Sequence, residues 1–447
     1  MLPGLTLAHA NHPLATRRVL QLLGLTRNAS GSVTMAAGQY RTLSMPCKPR
    51  SWILSSVAVT AVLLAGSAHS GEAAAAGTER PRARDAGVVI GVRPTGPRNA
   101  IVDVSGVAVG HATVIEGGDV RTGVSTILPH PGDLYRDRVP AAIVVGNGYG
   151  KLIGVTQVEE LGELETPILL TGTLGVWRAA DALVAWQLAK PGMDEVRSLN
   201  PVVGETNDGF LNDIRARPIR PEHVHQALDT ASTDNTDEGA IGAGTGTVAF
   251  GWKGGIGTSS RKLASSEGGH TVGVLVQSNF GGRLTIDGVA LDGMRPDAPA
   301  AQGARQAPTD NGDGSIMIVV ATDAPLDARL LRRLATRALL GLGRTGGSMS
   351  NGSGDYVIAF STAPGVRKAQ GEQRHQVVTL SNDAMTPLFE AVAEATEEAI
   401  VNSLFRSDTM SGHRGTVQAL PLEGVLPLLV DVDRCAAQCK TRQAMPQ

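Results

Sequence analysis

The chain reads as a layered α/β protein with helices on the outside of stacked sheets. Three features lead to that expectation. Fifty-five glycines punctuate a 447-residue chain that is 42% hydrophobic, the pattern of short apolar strands joined by tight turns. The last third of the chain alternates strand, helix, strand, helix. The length also suffices for a substantial core, in one large or two ordinary domains.

Residues 1–44 show no sustained periodicity and read as a dispensable or mis-assigned extension, with Met45 a candidate true start. Lys48 and Arg50 then precede an apolar run of about 14 residues, Trp52 to Ala65, and Ala68-His69-Ser70-Gly71 offers a small-residue cleavage site. Residues 45–70 are therefore expected to be a secretory signal peptide, since a membrane-spanning helix needs ~20 residues. The alternative is an uncleaved anchor. The expected location is periplasmic or secreted, with no membrane attachment after signal removal. Residues 71–86 read as an Ala/Arg/Glu linker, and 87–447 as a single domain.

Within that domain, strands are expected at Ile101–Val109, Gly123–Leu128 and Ala141–Val145. The last enters Gly146-Asn147-Gly148-Tyr149-Gly150-Lys151, which lacks both phosphate-loop and dinucleotide spacings and reads as a pocket-lining or turn loop. Pro167–Thr171 is a buried-strand pattern, and Gly175–Leu188 a helix with Val176, Ala180, Leu183, Val184 and Leu188 on one stripe. The strand at Val202 runs into Glu205-Thr206-Asn207-Asp208-Gly209, so Glu205 sits at a strand end, as a site residue or a solvated turn carboxylate. Residues 219–240 hold a helix and an acidic loop. Thr271–Gly281 is a strand carrying Asn279 at its end, where an amide can cap, turn or stabilise an oxyanion.

The stretch Asp310-Asn311-Gly312-Asp313-Gly314-Ser315 opens directly into the apolar strand Ile316–Ala321. One reading is a plain polar turn. The other is self-cleavage between Gly314 and Ser315. A terminal serine carries its own base, an α-amine of pKa ~7.7–8.0, whereas an internal hydroxyl needs a neighbouring base. Gly314 would leave its carbonyl open to attack. A calcium loop is excluded, because the twelfth position is Ala321 and offers no bidentate carboxylate. After the strand, Asp323 is expected as a helix N-cap with Pro325 in the first turn, followed by Leu326, Leu330, Leu334 and Ala338 on one face. Ser353-Gly354-Asp355 precedes the strand Tyr356–Ser361, and a long helix is expected from Asp383 to Phe405.

Forty basic against 42 acidic residues give a net charge of −2, which argues against nucleic acid or another polyanion as partner. Ten histidines lie scattered without ligand spacing, so neither a metal nor another cofactor is expected. Of the three cysteines, Cys47 falls in the expected signal peptide. Cys435 and Cys439 near the C-terminus are compatible with a local disulfide.

Taken together, G-D-G-S-I-M-I-V-V-A-T-D-A-P-L at 312–326, S-G-D at 353–355, E-T-N-D-G-F-L-N-D at 205–213 and the strand ending in Asn279 resemble the DmpA/BapA family of self-processing aminopeptidases. That group comprises L-aminopeptidase/D-esterase and β-peptidyl aminopeptidase, and the likeness spans about Gly87 to Leu429. It implies a four-layer αββα sandwich resembling N-terminal nucleophile hydrolases with different connectivity. It also implies a precursor cleaved into an α chain ending at Gly314 and a β chain over 315–447, assembled as a tetramer of αβ heterodimers.

By the same resemblance Ser315 is the nucleophile, Ser353 and Asp355 support it, Asn279 holds the oxyanion, and Glu205 receives the free amine of a short peptide, amide or ester. Relatives often carry an aromatic where this chain has Asn207, which leaves Asn207 and Tyr149 as candidates for the second oxyanion donor. Two alternatives remain at this stage. One is an acyltransferase or N-acyl amidohydrolase with the same self-cleaved nucleophile, although such relatives typically use threonine. The other is a non-catalytic exported binding protein.

Overall fold

The computed structural model describes residues 79–291, 294 and 314–430, and the backbone of two short strands, Leu25–Arg27 and Val33–Met35, which pair antiparallel. Those strands belong to a unit spanning Met1–Ala75, distinct from the unit Ala76–Gln447. The expected signal peptide at 45–70, the turn at 310–313, Cys47, Cys435 and Cys439 lie outside the described residues.

The larger unit runs β1 (Ala108–Glu116), β2 (Val120–Leu128), β3 (Asp137–Gly148), β4 (Leu152–Ile153), α1 (Val155–Leu161), β5 (Glu163–Leu164), β6 (Ile168–Gly172), α2 (Val176–Leu188) and β7 (Val202–Thr206). It continues through α3 (Pro221–Asp229), β8 (Ile256–Lys262), β9 (Thr271–Asn279), β10 (Ser315–Thr322), α4 (Ala328–Arg344), β11 (Gly354–Ser361), β12 (Lys368–Ala369), α5 (Thr386–Phe405) and α6 (Leu422–Leu429), with short hairpins left unnumbered. One sheet has the order β8-β9-β10-β11-β3-β12, with β5 also paired to β3; the other has the order β1-β2-β6-β7-β4. Each sheet contains one parallel pair, β10–β11 and β6–β7, and is otherwise antiparallel. Each parallel pair is bridged by a helix, α4 and α2 respectively, because parallel strands need a crossover.

Side-chain alternation sets the layers. Along β10, Met317, Val319 and Ala321 join a core with Ile168, Leu170 and Val202 of the second sheet, while Ile316, Ile318 and Val320 face Leu330, Leu334 and Val392 of α4 and α5. In the second sheet, Leu169 and Val203 point the other way, onto Ala179, Leu183 and Val224 of α2 and α3. Two helical layers therefore enclose two sheets packed face to face, the αββα order. Strands buried on both faces explain the continuous apolar runs seen in the sequence.

Three local expectations are corrected. Ile101–Asp103 is a 3-10 turn, and the strand begins only at Ala108. The Asp103 carboxylate accepts from the backbone N–H groups of Arg98 and Ala100, and Gly106 turns at φ +87°, so the apolar run is buried without being extended. The N-cap of α4 is Asp327, which accepts from Leu330 N at 2.8 Å; Asp323 instead accepts from Thr271 N at 2.7 Å. Pro325 disfavours a helical residue before it and delays the helix.

Residues 79–86, read as part of a linker, are bound. Arg80 donates to the carbonyls of Phe405 and Leu420, Ala83 N to Asn402 Oδ1, and Arg84 pairs with Glu398 at 2.8 Å. Arg261 sits fully buried between Glu394 and Glu398 of α5, and it also donates to the Ile90 carbonyl. The alanines of α5 permit close approach to β8, where a Cβ on Gly257 would lie 1.9 Å from the Ala399 carbonyl oxygen.

Candidate active site

The register of three adjacent strands builds the centre. Ser315 is the first residue of β10; Asn279, the last of β9, lies opposite it on one side, and Gly354, the first of β11, on the other. Ser315 is only 7% exposed. The Gly354 N–H faces two acceptors, Ser315 Oγ at 3.1 Å and the Gly314 carbonyl at 3.2 Å. Gly314 itself has φ +146°, and a Cβ there would lie 2.3 Å from the Asn279 carbonyl oxygen, so only glycine fits at this bond.

Asn279 is oriented from behind. Its Oδ1 accepts from Val248 N at 2.9 Å, leaving the amide N–H groups of Nδ2 as donors. Ser353 Oγ lies within hydrogen-bond reach of the Ser350 carbonyl, at 2.7 Å, and of Asp355 Oδ2. One hydroxyl proton cannot serve both acceptors. When Asp355 is protonated it can instead donate to Ser353, which frees the Ser353 hydroxyl for the Ser350 carbonyl. Burial pushes the Asp355 carboxyl up to about 6, opposed by hydrogen bonds from Ser353 and from the Ile316 backbone.

The second sheet contributes Glu205, near the end of β7. It is 1% exposed. Its Oε1 accepts from Lys151 N at 2.8 Å and lies 3.6 Å from Lys151 Nζ. Its Oε2 is buried with no hydrogen-bond partner. An unsatisfied buried carboxylate oxygen is costly, and a ligand cation would relieve that cost.

The two halves meet at a glycine pair. A Cβ on Gly150 would lie 3.0 Å from Gly354 Cα and 3.1 Å from Glu205 Oε1, and one on Gly354 would lie 2.6 Å from Gly150 Cα and 3.2 Å from Ser315 Oγ. The nucleophile candidate and the Glu205 carboxylate therefore border the same backbone contact.

Ser315, Gly314, Asn279, Ser353, Asp355 and Glu205 are thus brought together from two sheets. Tyr149 joins through its backbone N–H, 3.1 Å from the Ser353 carbonyl, while the side chain is 72% exposed at the rim. Asn207 is exposed, and its Oδ1 accepts from Gly209 N at 3.0 Å in a local turn. No described hydrogen bond links its side chain to Ser315.

Sequence reasoning missed the Gly354 N–H, the glycine contact, Lys151 and the fully buried Asp208. Burial pushes Asp208 up to about 6, against hydrogen bonds from Thr122 and Asn212, and the Glu205 charge adds to the rise. The glycine loop at 146–151 was the available signal for two of these, the glycine contact and Lys151. Among the described residues no three His, Cys, Asp or Glu side chains are grouped to hold a metal, and no helix is long and apolar enough to cross a membrane.

The fold has solved counterparts. The β-aminopeptidase of a Burkholderia species is 39% identical with a TM-score of 0.70, covering 78% of this chain and 98% of that one. The L-aminopeptidase/D-Ala-esterase/amidase of Ochrobactrum anthropi, described as a prototype serine aminopeptidase and a variant of the Ntn hydrolase fold, is 36% identical with a TM-score of 0.71 over the same shares. Among characterised sequences, the β-peptidyl aminopeptidase BapA of Sphingosinicella microcystinivorans is 42% identical over 385 residues, 82% of this chain and 96% of that protein. Fold and likeness define a hydrolase of the aminopeptidase class, on a variant of the Ntn hydrolase architecture. The family model of Peptidase family S58 matches residues 99–418, and the chain belongs to that family.

Two outcomes follow from the geometry. Gly354→Ala leaves the fold intact by circular dichroism but lowers kcat/KM by about 100-fold, because the added methyl separates the 150 and 354 backbones; a wild-type rate would mean that this contact does not position the site.

The second concerns pH. With Asp355 raised from 3.8 to about 6 in the folded state, its stability contribution is present below pH ~4 and lost as pH rises through 6. Asp355→Asn, whose amide can donate to Ser353, is therefore more stable than wild type at pH 7 by on the order of 1–3 kcal/mol and equal to it near pH 4. Thermal melts at the two pH values read this difference.

Proposed function

We propose that this protein is an exported, self-processing serine aminopeptidase that removes N-terminal residues from short peptides, amides or esters. The observation that carries the reading is the buried Glu205, whose Oε2 lacks a hydrogen-bond partner, at the Gly150–Gly354 contact that Ser315 also borders. In the precursor, Ser315 Oγ attacks the Gly314 carbonyl, whose oxygen already accepts from Gly354 N–H. The C–O bond forms, the C–N bond breaks, and the hydroxyl proton passes to the departing amine. Water then hydrolyses the ester, leaving a carboxylate on Gly314 and a free α-amine on Ser315.

That amine becomes the base for turnover. A substrate ammonium settles on Glu205, its carbonyl meets Ser315 Oγ, and Asn279 Nδ2 stabilises the oxyanion. Ser353 and Asp355 hold the nucleophile's surroundings. An N-acyl substrate brings no cation to Glu205 and leaves its charge unpaired, which argues against the amidohydrolase and acyltransferase alternatives. The names of the β-peptidyl relatives support N-terminal β-residues as the substrate class to test first. Export rests on the apolar run at 52–65, and assembly as a tetramer of αβ heterodimers rests on the family resemblance alone.

Intact mass is expected to give two fragments meeting at Gly314/Ser315, with Ser315→Ala remaining whole and inert. An undivided wild-type chain that turns over substrate would refute the terminal-amine mechanism. On p-nitroanilides, wild type hydrolyses the free-amine form of β- or α-alanine and discriminates against its N-acetyl form by at least about 100-fold. Glu205→Gln collapses that ratio mainly through KM; an unchanged ratio would remove the Glu205 assignment.

A further inference from the structure

Behind Asn279 lies a charged group that the proposed reaction does not touch. Lys253 is completely buried. Its Nζ donates to three backbone carbonyls, Gly244 at 2.9 Å, Thr247 at 3.0 Å and Gly254 at 2.6 Å. Three acceptors match the three N–H groups of an ammonium, whereas a neutral amine would turn a lone pair toward one of them. Among the described residues no carboxylate lies within ion-pair distance. Burial pushes the Lys253 pKa down to about 7, and the charge on Asp208 opposes that shift.

The Thr247 carbonyl and the Val248 N–H are two ends of one peptide group. The first accepts from Lys253 Nζ, and the second donates to Asn279 Oδ1 at 2.9 Å. Two amides therefore stand in series between a buried cation and the Nδ2 donors of Asn279. A positive charge on a carbonyl oxygen makes the N–H of the same amide a stronger donor, and hydrogen bonds in a chain reinforce one another in a low-dielectric interior. The hairpin also clamps the strand end: Phe250 N donates to the Phe280 carbonyl at 2.7 Å, and the two phenyl rings meet edge to face at 4.8 Å.

We propose that Lys253 is a positioning residue for the hydrolytic step, acting through the Thr247–Val248 peptide to orient and polarise the Asn279 amide toward the transition-state oxyanion. The inference rests on the oxyanion role proposed for Asn279. It also explains why an uncompensated cation is kept in the core beside a site for negative charge.

The test is a double-mutant cycle on the processed enzyme, with turnover counted per titrated active site. Lys253→Met lowers kcat about 10-fold with KM unchanged. Asn279→Ala lowers kcat more, and adding Lys253→Met to it changes kcat by less than about twofold, because the relay then has no end. Lys253→Gln, which keeps neutral donors for the carbonyls, falls between wild type and Lys253→Met and serves if the methionine variant does not fold.

Equal losses from Lys253→Met with and without Asn279, or a loss confined to KM, would overturn the relay while leaving the Asn279 role intact. No effect of Asn279→Ala alone would overturn that role and the relay with it. Failure of both Lys253 variants to fold would assign the lysine to the scaffold and overturn the inference.

Discussion

The site depends on a strand register. Ser315, the proposed nucleophile, lies where β9, β10 and β11 all terminate level with one another, which places Asn279 and Gly354 on either side. That register is fixed by period-two burial: a one-residue slip of β10 would exchange Met317 and Val319 for Ile316 and Ile318 in the inter-sheet core. Because both faces of the strand are buried, neither can accept the other's residues without steric conflict. The hydrophobic core thus places a nucleophile candidate to within hydrogen-bonding accuracy, although nearly all of its members are apolar.

The second requirement is that two sheets approach closely enough to share a cleft. Glycine provides this at successive levels. Gly204 lies against Met317, where a Cβ would be 2.7 Å from the sulfur, and Gly150 touches Gly354. Glu205 follows Gly204 directly, and its carboxylate reaches the Gly150 end of that glycine contact. The resulting centre concentrates unfavourable groups: a carboxylate oxygen without a donor, two aspartates driven toward neutrality, and a buried lysine held by carbonyls with no carboxylate in ion-pair distance among the described residues. Such groups oppose folding and persist where they serve chemistry.

Much of this was legible in the sequence. Strands buried on both faces announce themselves as continuous apolar runs, and the stacked α/β arrangement followed from their alternation with amphipathic helices. Motif resemblance singled out Ser315, Glu205, Asn279, Ser353 and Asp355. What could not be read were contacts made by backbone. The Gly354 N–H, the Gly150 contact and the Thr247–Val248 peptide carry no side-chain signature, and a turn glycine looks alike whether it packs against solvent or against another sheet. Lys253 was passed over for a related reason: lysine ordinarily marks a surface, and only the three carbonyls around it show otherwise. Residues 79–86 looked like a linker because arginine and alanine dominate them, yet their partners are carbonyls and carboxylates far away in the chain.

Under the proposed self-cleavage, that bound segment would hold the mature molecule together. Residues 79–86 and β9 fall on the N-terminal side of Gly314, whereas β10 and α5 fall on the other side. Two such pieces would be joined, among the described residues, by ladder hydrogen bonds, arginine clamps and a shared core. Unfolding of a form cut at Gly314/Ser315 would release two chains that must meet again by diffusion, so its recovery would depend on concentration, unlike that of an uncut chain. Such a cleavage would exchange a fold that re-forms within one chain for one whose persistence is governed by how slowly it opens.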